Sequence, residues 1–550
     1  MRTCVVIAVS TLTLIVLVLV DAKYRLPVVH LKSGLTVVGK AHKTASGRTN
    51  YYAFRGIPFA KPPVGDLRFR APVPLPQNLS GHVVDAITDK SECIQFHKSS
   101  IKGSENCLYI NVYTPQFKNV PTLYSVMVWI YGGVFLQGSS KHSLYGPDYF
   151  LDENVIIVTF NYRLGVYGFL STEDDVSPGN YGLKDQVLAL NWIQENIVYF
   201  GGDNTKVTIF GEDAGAASAA YLAQSPLTDG LFRAAILESG TSLNAWSLVQ
   251  NPTKIAKAIG LFLNVNTSTH ASLVNDLRKV HYKKLFKAQF IVTIGNLIER
   301  SVLSFLPFGP SIEPPSSNAV FTQSSYEDMS AGSFHRIPYL MGFNANEGSV
   351  FKQVVSLARK YFVKYDLKPT QLVSPSFNIK NESIKAEVAH IIKRRYFGKI
   401  PISYRTDALV HFISDDVFNR PITQAALLYS NHSQVYFYQF SYKHSIGHGE
   451  ELSYLWRRPK TTIRTRSAIR TRKRMVRLWT NFAKTGNPTP EKDPLLQNIT
   501  WPIANVDHTF SLNYLNIGER LSTMINPKWE TFLFWTDLFN TYGNPPYYTY

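Results

Sequence analysis

Cysteine is scarce in this chain, three residues in 550, and Cys4 lies within the apolar leader at the N-terminus. Cys93 and Cys107 remain, an even pair that in an oxidising compartment is most simply one disulfide closing a short loop. A second apolar run as long as the leader is missing, which leaves no further candidate for a membrane span. The C-terminal stretch "WETFLFWTDLFNTYGNPPYYTY" is broken by charge and proline, so it reads as a packed terminal helix and not as a lipid-anchor tail. There is no internal repeat and no low-complexity linker, which argues for one large domain. No zinc-ligand or RNA-binding pattern occurs, so nucleic acid is not an expected partner and neither a metal nor a cofactor is implied. Acidic residues are few: 39 Asp and Glu stand against 57 Lys and Arg, a net charge of +18. That excess favours acidic partners such as glycosaminoglycans or membrane surfaces and says nothing about the fold.

The first 22 residues carry an early Arg2, an apolar run from Cys4 to Val20 and a small residue at Ala22. This is the pattern of a secretory signal peptide with a cut after Ala22, leaving 23–550 as a secreted, extracellular chain. The run is also near the shortest that spans a bilayer, so an uncleaved anchor is the alternative. Five N-x-[ST] sequons, at Asn78, Asn266, Asn381, Asn431 and Asn498, suit a glycoprotein, whereas Asn487 is followed by Pro488 and does not count. The densest basic stretch is 457–477, "RRPKTTIRTRSAIRTRKRMVR", with ten Lys and Arg. It runs into a helical pattern, so it is either a solvated helix face or a docking patch for an acidic extracellular polymer or protein.

Apolar, strand-like runs alternate with helical stretches, as in "YSVMVWIYGG", "NVIIVTFNYR", "KVTIFGEDAGAASAAYLA", "FRAAILESG", "IPYLMGFNANEG" and "QVYFYQFSY". That cadence predicts βαβ units and an α/β fold with a large, mostly parallel sheet. The stretches of about 250–335 and 355–425 are rich in Lys and helix formers and read as helical insertions over the top of the sheet.

Sites in such sheets form beyond the C-terminal ends of the strands. Gly211-Glu212-Asp213-Ala214-Gly215 follows the run "VTIF" and precedes an alanine-rich helix, which is the outline of a nucleophile elbow with Asp213 at its tip. The glycine pair in "VWIYGGVF" can turn backbone N–H groups toward a cleft, as an oxyanion hole requires, or can simply make a tight turn. Glu347 in "NANEGSVF" and His448 in "GHGEELSYLW" each follow a strand-like run. Nucleophile, acid and histidine in that order are the order of the α/β-hydrolases.

With these pieces the chain resembles the type-B carboxylesterase/cholinesterase family, and most of all secreted insect esterases. The likeness rests on "FRGIPFAKPPVGDLRFRAP" (54–72), "SENCLYINVYTP" (104–115), "NYRLGVYGFL" (161–170), "GNYGLKDQVLALNWIQENIVYFGGD" (179–203), "GLFRAAILESG" (230–240) and "LWTNFAKTGNPTP" (478–490). The resemblance implies the α/β-hydrolase fold, with Asp213 where the family has its nucleophilic serine, Glu347 as the acid and His448 as the base. It further implies oxyanion donors at the N–H groups of Gly133, Val134 and Ala214, a Cys93–Cys107 disulfide, and ion pairs Arg68–Glu105 and Arg163–Asp185. Ser239 matches a serine that the family keeps near its triad. Two departures stand out: Val134 replaces the third glycine of the family's oxyanion loop, and Asp213 replaces serine. The 93–107 loop lacks the tryptophan that cholinesterases use for choline, which excludes that subgroup.

A carboxylate attacking an ester carbonyl would form a mixed anhydride, and its adduct would expel the carboxylate again more readily than an alkoxide. Asp213 would also tend to hold His448 protonated. Ordinary ester hydrolysis is therefore expected to be absent or residual, leaving capture of a hydrophobic or ester-like small molecule, or adhesion, as the role. The alternative is an enzyme resembling epoxide hydrolases, in which Asp213 attacks a saturated carbon and His448 activates water against the resulting ester.

Overall fold

A computed structural model of the chain describes residues 26–97, 100–299, 306–352, 359–443, 447–458, 463–505 and 510–550. The expected leader, 1–22, and residues 459–462 of the basic stretch lie outside the described residues.

The main sheet has eleven strands. In chain order they are β1 (Lys40–Lys43), β2 (Asn50–Pro58), β3 (Tyr109–Thr114), β4 (Tyr124–Ile130), β5 (Ile156–Phe160), β6 (Gly202–Glu212), β7 (Ala234–Glu238), β8 (Tyr339–Asn344), β9 (Val435–Phe440), β10 (Asn513–Ile517) and β11 (Leu521–Ile525). Their spatial order is β11-β10-β9-β8-β7-β6-β4-β5-β3-β2-β1. The run from β5 through β10 is parallel, and antiparallel pairs close both margins. The sequence cadence therefore predicts the centre of the sheet, where "MVWI" in β4 and "IIVTF" in β5 are buried throughout. Continuous apolar strands of that kind require cover on both faces, which the helices supply.

Five helices matter for the site and its surroundings: α1 (Tyr181–Asn196), α2 (Ala214–Gln224), α3 (Pro252–Phe262), α4 (Tyr282–Glu299) and α5 (Arg466–Thr485). Every residue of α2 is buried, and its run of alanines lets it lie close against the sheet. Packing there is tight: a Cβ on Gly215 would lie 1.9 Å from the Ile130 carbonyl oxygen. Glycine at 215 is a steric requirement of the turn between β6 and α2. The helical insertions expected at 250–335 and 355–425 are present, and α3 and α4 belong to the first of them. The C-terminal stretch forms a helix over Trp529–Tyr542 that buries Phe532, Trp535, Leu538 and Phe539.

Cys93 and Cys107 are disulfide-bonded, closing a loop that carries a short hairpin of Gln95–His97 with Ser100–Lys102. Arg163 and Asp185 form a fully buried ion pair at 2.7 Å, and Arg68 reaches Glu105 at 2.6 Å. A third buried pair, Lys184–Glu313 at 2.5 Å, ties α1 to the segment after α4. Such pairs cost desolvation and hold geometry more than they add stability. All five sequon asparagines are exposed, and Asn381 also caps the helix Glu382–Tyr396 by accepting the N–H groups of Ser383 and Ile384. No helix among the described residues is long and apolar enough to cross a membrane.

Candidate functional site

Asp213 occupies the turn between β6 and α2 with φ 55° and ψ −121°, a strained backbone that pushes its side chain out at the carboxyl end of the sheet. The strain is anchored on two sides, because Asp213 N–H donates to the Glu238 carbonyl and Ala217 N–H donates to the Asp213 carbonyl, each at 3.0 Å. The loop after β4 turns toward the same point. Gly133, Val134 and Phe135 all hold positive φ, 114°, 52° and 60°. That unusual path aims consecutive amides inward, and their target is Asp213 itself: its Oδ2 accepts the N–H groups of Gly133 at 2.8 Å and Val134 at 2.9 Å. The adjacent Ala214 amide also lowers the pKa of the carboxyl. Two of the three donors expected for an oxyanion hole thus converge on one point, and an oxygen of the protein occupies it.

His448 follows β9 and Glu347 follows β8, as the strand-end reading expects. Nδ1 of His448 lies 2.7 Å from Glu347 Oε2. Glu347 is fully buried and its Oε1 accepts the Ser239 hydroxyl at 2.6 Å and the Asn344 N–H at 2.5 Å. On the other edge of the imidazole, Nε2 is 3.6 Å from Asp213 Oδ1 and only 3.2 Å from Glu212 Oε1. The histidine is therefore ringed by three carboxylates, not two, and the nearest to Nε2 is one the sequence reading passed over. Glu212 stands beside Asp213 in the elbow, and adjacency to the tip was its only sequence signal. Glu451, three residues after His448, is also buried in this region and accepts from the Asn344 amide.

The charges follow from this crowding. Burial alone would push His448 down, but the charge of Glu212, the nearby Asp213 carboxylate and the hydrogen bond to Glu347 raise it well above its usual value. Burial pushes Asp213 up, and the His448 contact with the Val134 and Ala214 amides outweighs it, holding the carboxyl below the usual range. Glu212 is raised well above the carboxylate range, first by burial, with the neighbouring acids adding to the effect against His448. The surrounding carboxylates thus favour the charged imidazole and the amides favour an ionised Asp213, while burial favours the neutral acid at Glu212 and raises Glu451 to about 7.

Aromatic side chains wall the approach. The Phe418 ring lies 4.7 Å from the His448 ring, and Trp246 sits 6.3 Å from Phe418 and 6.5 Å from Phe135. Phe418 belongs to a π-helical turn over Ser414–Asn419, the kind of irregularity that re-aims a side chain at a site. A cavity of about 60 Å³ adjoins this wall, lined by Trp246, Leu248, Val249, Asn296 and Leu306 among others. Among the described residues no group of three or more His, Cys, Asp or Glu could hold a metal ion.

The basic stretch divides. Arg474 is buried and donates to the carbonyls of Leu495 and Glu519, and Arg477 pairs with Glu153 and Asp493. Arg457 bonds Asp148, and Arg472 lies over the Tyr149 ring. Arg464, Arg466, Arg470 and Lys473 are left on the exposed side of α5 and the turn before it.

The carboxylesterase family model matches residues 25–535. The chain belongs to the carboxylesterase family. Among its relatives, this carboxylesterase-family chain is 34% identical to juvenile hormone esterase of Tribolium castaneum over 529 residues, covering 88% of this chain and 86% of the relative. It is 30% identical to venom carboxylesterase-6 of Apis mellifera over 532 residues, covering 90% and 92%. The solved structure of juvenile hormone esterase from Manduca sexta, with OTFP covalently attached, superposes with a TM-score of 0.83 at 28% identity, covering 94% of this chain and all of that one. The fold is that of the α/β-hydrolases.

Proposed function

We propose that this carboxylesterase-family protein binds a lipophilic, ester-like small molecule without hydrolysing it, with Asp213 in the place of the family's serine. One observation carries the reading: Asp213 Oδ2 takes the amides of Gly133 and Val134 at 2.8 and 2.9 Å. An ester carbonyl is activated only when those donors are free to receive its developing negative charge. Here a full carboxylate competes for them from within the chain. Attack by Oδ1 on a carbonyl reverts, because the carboxylate is the better leaving group, and a protonated His448 cannot act as base. The aromatic wall of Phe135, Trp246 and Phe418 remains to hold an apolar ligand. We place the protein outside the cell, on the Cys93–Cys107 bridge and the five exposed sequons. In that setting Arg464, Arg466, Arg470 and Lys473 are the residues available to an acidic extracellular polymer or protein.

A second reading has its own observation. With Oδ2 held by the amides, Oδ1 faces His448 at 3.6 Å. That is the disposition in which Oδ1 could attack a saturated epoxide carbon, breaking its C–O bond and forming an alkyl-aspartate while the released alkoxide takes the Nε2 proton of His448. Water, losing a proton to the now neutral His448, would then attack the aspartyl carbonyl carbon, break the ester C–O bond to release the diol, and leave its oxygen in Asp213. Against this, two nearby tyrosines are engaged: Tyr131 and Tyr162 donate to each other's backbone carbonyls and are not free to protonate an alkoxide.

The purified protein should release no p-nitrophenol from p-nitrophenyl butyrate above the buffer rate and take up no fluorophosphonate label. Lipophilic esters should quench tryptophan fluorescence and be recovered intact. Stoichiometric label in the site would refute the binding reading. Heavy oxygen appearing in Asp213 after a single turnover of an epoxide in labelled water would establish the second.

A further inference from the structure

The helix α4 carries an outward stripe that the site does not use. At 100° per residue, Lys283, Lys284, Lys287, Phe290, Ile291 and Ile294 fall on one face. All six are exposed, and the three apolar ones are 41%, 46% and 41% accessible. Phe96, from the disulfide-closed loop, stacks on Phe290 at 5.2 Å and is itself 41% accessible. The neighbouring α3 packs on α4 and leaves Leu261 and Phe262 66% and 48% exposed. Isolated exposed apolar residues need no explanation, but a contiguous cluster of aromatic and branched side chains does.

The charges on this face are all of one sign. Lys283 and Lys284 lie in the first turn of α4, where the helix dipole disfavours cations, and that turn carries no acid. The lysines thus cost helix stability, which points to a role outside the helix. They are separated from Phe290, Ile291 and Ile294 by about 10 Å along the axis. A helix lying obliquely at an interface would set its N-terminal lysines among headgroups and its later half among acyl chains.

The face is also connected to the site. Gln289, on the inner side of α4, accepts the Val166 N–H at 2.7 Å, and the adjacent Gly165 N–H donates to the Phe135 carbonyl at 2.8 Å. Asn296 lines the same cavity as Trp246. We propose that the α4 face, with Phe96, docks on an anionic phospholipid surface and brings the aromatic pocket to the level where lipophilic molecules partition. The net charge of +18 favours such a surface and opposes a second copy of the chain as the occupant. The inference stands on the α4 surface alone and survives whether or not Asp213 turns over a substrate.

Flotation with phosphatidylcholine vesicles carrying about 30% phosphatidylserine tests it, with pure phosphatidylcholine vesicles as the neutral arm. The full chain should float with the anionic vesicles and far less with the neutral ones. The triple variants Phe290→Ser/Ile291→Ser/Ile294→Ser and Lys283→Glu/Lys284→Glu/Lys287→Glu should each lower bound protein at least about tenfold. Lys40→Glu/Lys43→Glu on the edge strand β1 should change it little, and Arg470→Glu/Lys473→Glu on α5 should lower it less than the α4 lysine triple does. The proposal is overturned if nothing floats, if the α5 variant alone abolishes binding, or if the apolar triple leaves binding intact. Conversion of a dimer to a monomer by the apolar triple, read by light scattering, would assign the face to a second copy instead.

Discussion

Val134 donates its amide to Asp213 Oδ2 at 2.9 Å while holding a left-handed φ of 52°. A β-branched residue rarely adopts that backbone, and an acid rarely lies so fully buried at 4% accessibility. The two anomalies sustain each other. The carboxylate supplies an acceptor strong enough to hold the loop, and the loop supplies amides that keep the carboxylate ionised.

Replacing Asp213 with serine vacates the amide cradle and gives His448 a hydroxyl to deprotonate. The Glu347–His448 contact at 2.7 Å and the Ser239 bond to Glu347 stay in place. Asp213→Ser should therefore release p-nitrophenol from p-nitrophenyl butyrate at least about 100-fold faster than the wild type. It should also take up one fluorophosphonate per chain. A variant that folds, as judged by its denaturation curve, yet stays silent would show that Asp213 is not what keeps the site from hydrolysing esters.

Val134→Gly relieves strain of about 1–2 kcal/mol at a left-handed residue. It also loses a partly buried side chain and gains unfolded-state freedom, so the terms nearly cancel. Its urea midpoint should stay within about 1 kcal/mol of wild type. Val112→Gly, in the middle of β3 and fully buried, should cost about 3 kcal/mol or more. In the Asp213→Ser background, Val134→Gly should raise kcat/KM, since the freed loop can follow a developing oxyanion. Equal losses at the two valines would mean that the loop is not strained.

The elbow is readable in the sequence because its demands are local: an apolar strand, small residues where backbones touch, and an alanine-rich helix. The parallel core is readable for the same reason, from uninterrupted runs such as "MVWI". What surrounds His448 is not. Glu212 lies next to Asp213 in sequence, yet its approach to Nε2 depends on a loop more than two hundred residues away. The basic stretch shows the same limit. Arg474 and Arg477 look like their exposed neighbours until Leu495, Glu519, Glu153 and Asp493 are folded against them. The apolar residues of α4 show the limit in the opposite sense: in "FIV" (290–292) Phe290 and Ile291 face outward, which nothing local in the stretch marks.

Arg163 bonds Asp185 through Nε at 2.8 Å and Nη2 at 2.7 Å, with both side chains almost wholly buried. Burial pushes the Asp185 carboxyl up even against its partner. Arg163→Met leaves that acid without a counter-charge and should cost about 3–5 kcal/mol in urea denaturation. The double variant Arg163→Met/Asp185→Leu should recover most of the loss, because no charge is then stranded. Equal destabilisation of the single and double variants would show that the pair is wanted for its packing and its bond to the Arg70 carbonyl.

His42 and His142 face each other at a ring separation of 6.4 Å, with His42 also stacked on Tyr51 at 5.3 Å. Among the described residues neither Nε2 has a hydrogen-bond partner. Burial first, then the charges of Arg55, His142 and Lys40, lower His42 to about 4, with only Asp148 opposing. Burial and Arg55 lower His142 as well. An unfolded imidazole takes its proton near 6.5, whereas the folded His42 does not until about 4. The unfolded state thus binds more protons in between, and folding stability falls as the pH drops through that window. Above it the contribution is complete. His42→Phe keeps the stacking surface and cannot titrate, so its urea midpoint should fall less than that of the wild type between pH 7.5 and pH 5. Identical slopes for the two proteins would show that the histidine pair is protonated in the fold and would remove it as a source of acid sensitivity.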